Sequence, residues 1–171
     1  MDYKALIREV PDFPRPGILF YDITTLLKDA KALRAITDEL TDRYLTMGIA
    51  KVVGIESRGF ILGGTLATRL GAGFVPVRKP GKLPADIFEV KYNLEYGSSS
   101  LAIHRDAIGM GEKILIVDDL LATGGTAAAT VRLIRQLGGE IASIDFLVEL
   151  TSLRGRDRLV GYDVHSTIVY P

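Results

Sequence analysis

A chain of 171 residues can bury a core that needs no staple, and the absence of cysteine removes disulfide frameworks and thiol chemistry. Its 21 basic and 21 acidic side chains balance, so no net field draws it to nucleic acid or to an anionic membrane surface. No apolar run approaches the roughly 20 residues that span a bilayer. The opening MDYKALIREV carries charges where a signal peptide needs an apolar stretch, so a soluble, cytoplasmic protein is expected.

Tyr3 to Val10 has helical spacing, with Leu6, Ile7 and Val10 on one side. Pro11, Pro14, Pro16 and Gly17 then predict an irregular segment outside any ladder or helix. Ile18 to Tyr21 is short and apolar and suits an edge strand. Asp29 to Met47 predicts a helix with Leu33, Ile36, Leu40, Tyr44 and Leu45 as its buried stripe, ended by Gly48.

Lys51 to Ile55 predicts a strand that leads into Glu56-Ser57-Arg58-Gly59, with a helix from about Phe60 to Leu70. A loop carrying Ser, Arg and Gly between a strand's carboxyl end and a helix is a candidate anion site. A lone arginine such as Arg58 also fits a solvated face. Gly73 to Val77 predicts the next strand, and Arg78, Lys79 and Lys82 follow it. Three cations in so short a run suit a diphosphate, or equally a solvated surface. From Pro80 to Ser100 the periodicity fails and Pro, Gly, Tyr and Ser accumulate, the composition of a functional lid. Leu101 to Ile103 begins another strand, and Gly109-Met110-Gly111 makes a turn.

The segment KILIVDDLLATGGT, Lys113 to Thr126, organises what remains. Ile114 to Val117 reads as a strand buried on both faces of a parallel sheet, ending where Asp118 and Asp119 begin. Ala122, Thr123, Gly124, Gly125 and Thr126 precede an alanine-rich helix, Ala127 to Leu137. The glycines admit close backbone approach, the threonines supply hydroxyls, and the first N–H groups of the helix lack intrahelical partners. Together these cradle a phosphate at the carboxyl edge of a sheet, where open α/β folds bind ligands. The loop is neither a Walker loop nor a GxGxxG fingerprint. Asp118 and Asp119 fit sugar hydroxyls, or a cation shared with phosphates; alternatively one caps a turn and the other stays solvated. Gly138-Gly139 caps the helix, Ile141 to Leu150 is a strand, Thr151-Ser152 can N-cap a short helix, and Val164 to Val169 is a last strand.

Strands alternating with helices define an α/β domain with a parallel sheet and right-handed crossovers. ILIVDDLLATGGT resembles the signature of the type I phosphoribosyltransferases that binds 5-phospho-α-D-ribose 1-diphosphate (PRPP), in the form found in the family's adenine-specific members. PDFPRPGILFYDIT, GIESRGF, RKPGKLP, LEYG and VELTSLRGR are similar to further segments of that family, in its order and over nearly the whole chain.

The resemblance implies the type I phosphoribosyltransferase fold as a single domain, with a small N-terminal hood at about 1–35 and a lid loop at about 79–100. It implies purine salvage, adenine + PRPP giving AMP and pyrophosphate, with Mg²⁺ bound through substrate phosphates and a homodimer in which Arg78 can reach the neighbour's site. By the same resemblance Ala122 to Thr126 hold the 5′-phosphate, and Asp118 and Asp119 the ribose. Ser57, Arg58, Arg78, Lys79 and Lys82 would hold pyrophosphate, in a loop where relatives often carry a cis peptide. Glu95 is the implied acid/base residue, with Arg58 and Tyr96 also catalytic and Tyr96 closing over the substrate. Leu19, Phe20 and Tyr21 would bind adenine; many relatives carry Arg in place of Tyr21, so only its backbone role is expected to carry over. The alternatives are transfer to a 6-oxopurine, or a non-enzymatic PRPP sensor. The sensor would need a nucleic-acid surface that the neutral charge does not provide.

Overall fold

The segment with helical spacing near the N-terminus divides between a 3₁₀ turn and a strand. In the computed structural model, which describes residues 1–93 and 98–171, only Lys4–Leu6 forms a 3₁₀ turn. β1 (Arg8–Pro11) then pairs antiparallel with β2 (Leu19–Asp22), from Arg8 opposite Asp22 to Pro11 opposite Leu19. Pro11 joins the ladder after all, because it is the last residue of a two-stranded ribbon, where its missing N–H costs nothing. Ile7 and Val10, three apart, suit a helical face, but pairing with a second apolar segment draws Arg8 to Pro11 into a strand instead.

Between the two strands, Asp12 Oδ1 accepts the Gly17 N–H at 2.7 Å, the Phe13–Pro14 peptide is cis, and the Phe13 and Phe20 rings meet edge to face at 5.1 Å. Asp29 caps α2 (Ala30–Tyr44) by accepting the N–H groups of Lys31 and Ala32, each at 2.9 Å. Ala32, Ile36, Leu40 and Tyr44 form the buried stripe. Leu45, expected in that stripe, is exposed, because the helix has already ended and residues 45–48 turn. A single-turn helix, α1 (Thr24–Leu27), precedes α2. The chain forms two compact units, Met1–Arg43 and Tyr44–Pro171.

The second unit is built on a five-stranded parallel sheet of order β4-β3-β7-β8-β9. Its strands are β3 (Lys51–Ile55), β4 (Gly73–Val77), β7 (Lys113–Leu121), β8 (Glu140–Leu150) and β9 (Val164–Tyr170). Ile114, Leu115, Ile116 and Val117 at its centre are fully buried, as a run of apolar residues covered on both faces must be. β7 does not stop at Asp118: it pairs with β8 as far as Leu121 opposite Glu149, so the acidic pair lies within the strand's last turn of pleat. Helices α3 (Gly59–Leu70) and α4 (Gly125–Gln136) follow β3 and β7.

The excursion expected to lack periodicity contains a hairpin. β5 (Ile87–Asn93) pairs antiparallel with β6 (Ser98–His104). Phe88 and Tyr92 pack on the core cluster and Val90 belongs to it, while Glu89 and Lys91 face out. This is the period of two of a half-buried strand, short enough to be outweighed by the Pro, Gly and Ser around it. The expected helix cap at Thr151 is also replaced: Thr151 opens a 3₁₀ turn and its hydroxyl donates to the Tyr170 carbonyl at 3.1 Å.

Candidate active site

Strand order reverses between β3 and β7: the chain leaves β3 toward β4 on one side and β7 toward β8 on the other. Loops diverging from such a point leave a crevice at the carboxyl edge. A cleft of about 530 Å³ lies there, lined by Glu56, Ser57 and Arg58 after β3, Lys79 and Lys82 after β4, and Asp118, Asp119, Ala122 and Thr126 at the end of β7. A larger cleft of about 640 Å³ is lined by Lys91, Arg132 and Arg158 beside α4. It lacks both the acidic pair and the β3 loop, so the smaller cleft is the candidate site.

Close packing of glycine brings the two loops together. A Cβ on Gly59 would stand 2.8 Å from the Val117 carbonyl oxygen and 3.0 Å from Asp118 Oδ1, so the start of α3 lies against β7 only because that residue has no side chain. Arg58 is thereby within reach of Asp119, and Nη1 pairs with Oδ2 at 2.8 Å. The Asp119 N–H donates to Asp118 Oδ1 at 2.9 Å. Burial, and then the Asp119 charge beside it, push the Asp118 carboxyl well above its ordinary range. Arg58 thus engages Asp119, while its neighbour Asp118 is the carboxyl whose burial favours the neutral form.

After β3 the Glu56–Ser57 peptide is cis. Glu56, which the sequence reading passed over, gathers the cationic run. Its carboxylate takes Lys82 Nζ, the Lys79 N–H at 3.0 Å and Arg78 Nε at 3.3 Å. Burial alone would raise its pKa, but the hydrogen bonds from Lys82, Lys79 and Arg78 prevail and lower it to about 2. No local signal in the sequence marks this role, because its partners lie on the loop after β4. Arg78 is held further by the Lys82 carbonyl at 3.1 Å and lies over the Phe60 ring.

Ala122 to Thr126 curl around a small cavity of about 60 Å³ at the start of α4. Gly124, the residue before the helix, has φ +77°, and its carbonyl accepts the Ala128 N–H at 3.0 Å. Thr126 Oγ1 donates to Tyr92 Oη at 3.4 Å, which brings β5 into the cleft wall through a residue not foreseen from sequence. Leu19, Phe20 and Tyr21 lie on β2 of the first unit. Glu95 and Tyr96 lie outside the described residues.

A small-residue loop at a helix start, a buried carboxyl pair and a cation-bearing loop meet at the switch point of a parallel sheet. The model of the phosphoribosyl transferase domain matches residues 22–168. The adenine phosphoribosyltransferase of Solibacter usitatus is 57% identical over 169 residues, covering 99% of this chain and 98% of the relative. The crystal structure of adenine phosphoribosyltransferase from Thermoanaerobacter pseudethanolicus superposes with a TM-score of 0.95 at 52% identity, covering 99% and 98% of the two chains. That from Saccharomyces cerevisiae, complexed with an imino-altritol bisphosphate and adenine, gives 0.91 at 39% identity, covering 97% and 96%. The chain belongs to the phosphoribosyltransferase family, a group of pentosyltransferases, and within it to the branch of the adenine phosphoribosyltransferases.

Proposed function

We propose that this protein transfers the phosphoribosyl group of PRPP to N9 of adenine, forming AMP and releasing pyrophosphate. The observation that carries the reading is the meeting, in one cleft, of the Ala122–Thr126 cradle, the Asp118–Asp119 pair and the cation-bearing loops after β3 and β4. Adenine bound in the yeast relative supports the choice of base.

Displacement at an anomeric carbon passes through an oxocarbenium-like state, so positioning and charge stabilisation are the protein's main tasks. In this reading the N–H groups and threonine hydroxyls of residues 122–126 take the 5′-phosphate. Asp118 and Asp119 meet the ribose hydroxyls, and burial favours the neutral form of Asp118. Ser57, Arg58, Arg78, Lys79 and Lys82 receive pyrophosphate, and Glu56 holds Arg78 and Lys82 near it until it arrives. Leu19, Phe20 and Tyr21 read the adenine ring and edge. Glu95, by its place in LEYG, exchanges a proton with the purine, and Tyr96 closes over it. Replacing Glu95 with Leu while keeping full turnover at saturating substrate would falsify that assignment.

The carboxylates of the cleft suit Mg²⁺ that arrives with its phosphates rather than a protein cage. Glu56 is engaged by three groups and Asp119 by Arg58, while burial favours the neutral form of Asp118. Mg²⁺ bound by the substrate's phosphate oxygens would offset charge growing on the departing pyrophosphate. No helix among the described residues is long and apolar enough to cross a membrane. We place the protein in the cytoplasm as a homodimer on the family resemblance; a single monomeric species in sedimentation at high concentration would remove the dimer.

The deciding assay is pyrophosphate release with PRPP and Mg²⁺, offering adenine, hypoxanthine, guanine and no base in parallel. Release with adenine alone is expected. Silence with every base, with PRPP still bound, would make the protein a sensor instead.

A further inference from the structure

The phosphate loop does not hold its shape alone. Gly124 and Gly155, which are 31 positions apart in the chain, meet backbone to backbone. A Cβ on Gly124 would overlap the Gly155 carbonyl oxygen, and one on Gly155 would overlap the Ala122 carbonyl oxygen and stand 2.7 Å from Leu121 Cδ1. The next residue, Arg156, is clamped. Its Nε and Nη2 donate to the two oxygens of Glu149, each at 2.7 Å, and Nη1 donates to the Val164 carbonyl at 2.8 Å, where β9 begins. Glu149 in turn sits in register with Leu121, the last residue of β7 before the loop.

These contacts close a circuit: Leu121 to Gly124 through the loop, Gly124 to Gly155 by backbone contact, Gly155 to Arg156 along the chain, Arg156 to Glu149 through the fork, and Glu149 back to Leu121 through the sheet. Resting on the functional reading above, we propose that Arg156 is a positioning residue which, through Gly155, fixes the 122–126 loop in the shape that takes the substrate's 5′-phosphate. The chemistry supports it. A guanidinium fork on a carboxylate sets direction as well as distance, which an ammonium cannot do. Glu149 is only 4% exposed, and its hydrogen bonds from Arg156 outweigh burial and hold its carboxyl below the ordinary range. The clamp is thereby held in its charged form, with both Glu149 oxygens taken by the fork. A cradle of backbone N–H groups is sensitive to shifts of less than an ångström.

The test is Arg156→Lys, which keeps the charge and loses the fork. The KM for PRPP and the Kd for AMP, the two ligands with a 5′-phosphate, are expected to rise about tenfold, while kcat and the KM for adenine at saturating PRPP stay within about twofold. A merely structural role would lower the melting temperature without separating the ligands. Unchanged PRPP and AMP parameters in the folded variant would overturn the proposal, as would an equal loss for adenine. If Arg156→Lys does not fold, Glu149→Gln keeps the side-chain shape and weakens the same fork, with the same ligand pattern expected. Failure of the wild-type protein to bind AMP or turn over PRPP would instead overturn the functional reading.

Discussion

Arg58 Nη1 lies 2.8 Å from Asp119 Oδ2, so an ion pair ties the loop after β3 to the end of β7. The two strands are parallel neighbours, and the pair spans the crevice between their loops. Removing the cation leaves the buried Asp119 without that partner. Arg58→Met is expected to lower kcat/KM by about 100-fold or more, since a charge-assisted contact at the site of developing charge is lost. Because the Arg58 side chain is 39% exposed, stability should change by less than about 1 kcal/mol. Steady-state kinetics with denaturant melts of the same variant separates the two effects.

Glu56 makes stability depend on acid pH. Its carboxyl falls from an ordinary 4.5 to about 2 in the folded protein. A lowered pKa means that the unfolded chain binds the proton first, so the stabilisation is complete above 4.5 and is lost as pH falls toward about 2. Glu56→Gln cannot titrate. The melting temperature of the wild type should therefore exceed that of the variant near neutrality, and the gap should close across that acid window. A gap that stays constant down to the lower value would show that the cations do not act through this carboxylate.

Gly59→Ala should damage both fold and site. Its Cβ would meet the Val117 carbonyl oxygen at 2.8 Å, and neither backbone has a flexible end to yield. A cost of about 1–3 kcal/mol is expected from forced overpacking. The displaced start of α3 would carry Arg58 away from Asp119, so activity should fall even at temperatures where the variant is folded. Calorimetry and assays on one preparation check both.

Away from the cleft, Tyr44 Oη donates to Asp145 Oδ2 at 2.5 Å and His165 Nδ1 lies 2.8 Å from the same oxygen. Asp145 is fully buried, and its Oδ1 has no hydrogen-bond partner among the described residues. Tyr44→Phe removes one of the groups that offset that burial and should cost about 1–3 kcal/mol in urea denaturation. Turnover per folded molecule should be unchanged.

The segment from Ile114 through Gln136 was legible in the sequence because its signals are local: a buried apolar run, an acidic pair, small residues and then an amphipathic helix. The cradle and the acidic pair followed directly from it. β1 was not legible, because Ile7 and Val10 have helical spacing and only pairing with β2 makes Arg8 to Pro11 a strand. The hairpin was hidden because the alternation from Phe88 to Tyr92 is short and lies among Pro, Gly and Ser. Glu56 and Gly155 escaped for a different reason. Each matters through partners far along the chain, Lys82 and Arg78 for one and Gly124 for the other. Spacing along a sequence does not reveal which loops a sheet will bring side by side.

The register of β3 against β7, with Gly54 opposite Val117, has one more consequence. The gap between the loop that follows Ile55 and the acidic pair is set by one interstrand spacing of about 4.8 Å, not by the length of either loop. Between β3 and β7 the chain adds α3, then β4 on the other side of β3, then the β5–β6 hairpin. None of these segments comes between the two strands, so that span does not depend on their length. The ruler that fits the ligand is thus built from backbone hydrogen bonds, which side-chain drift leaves untouched.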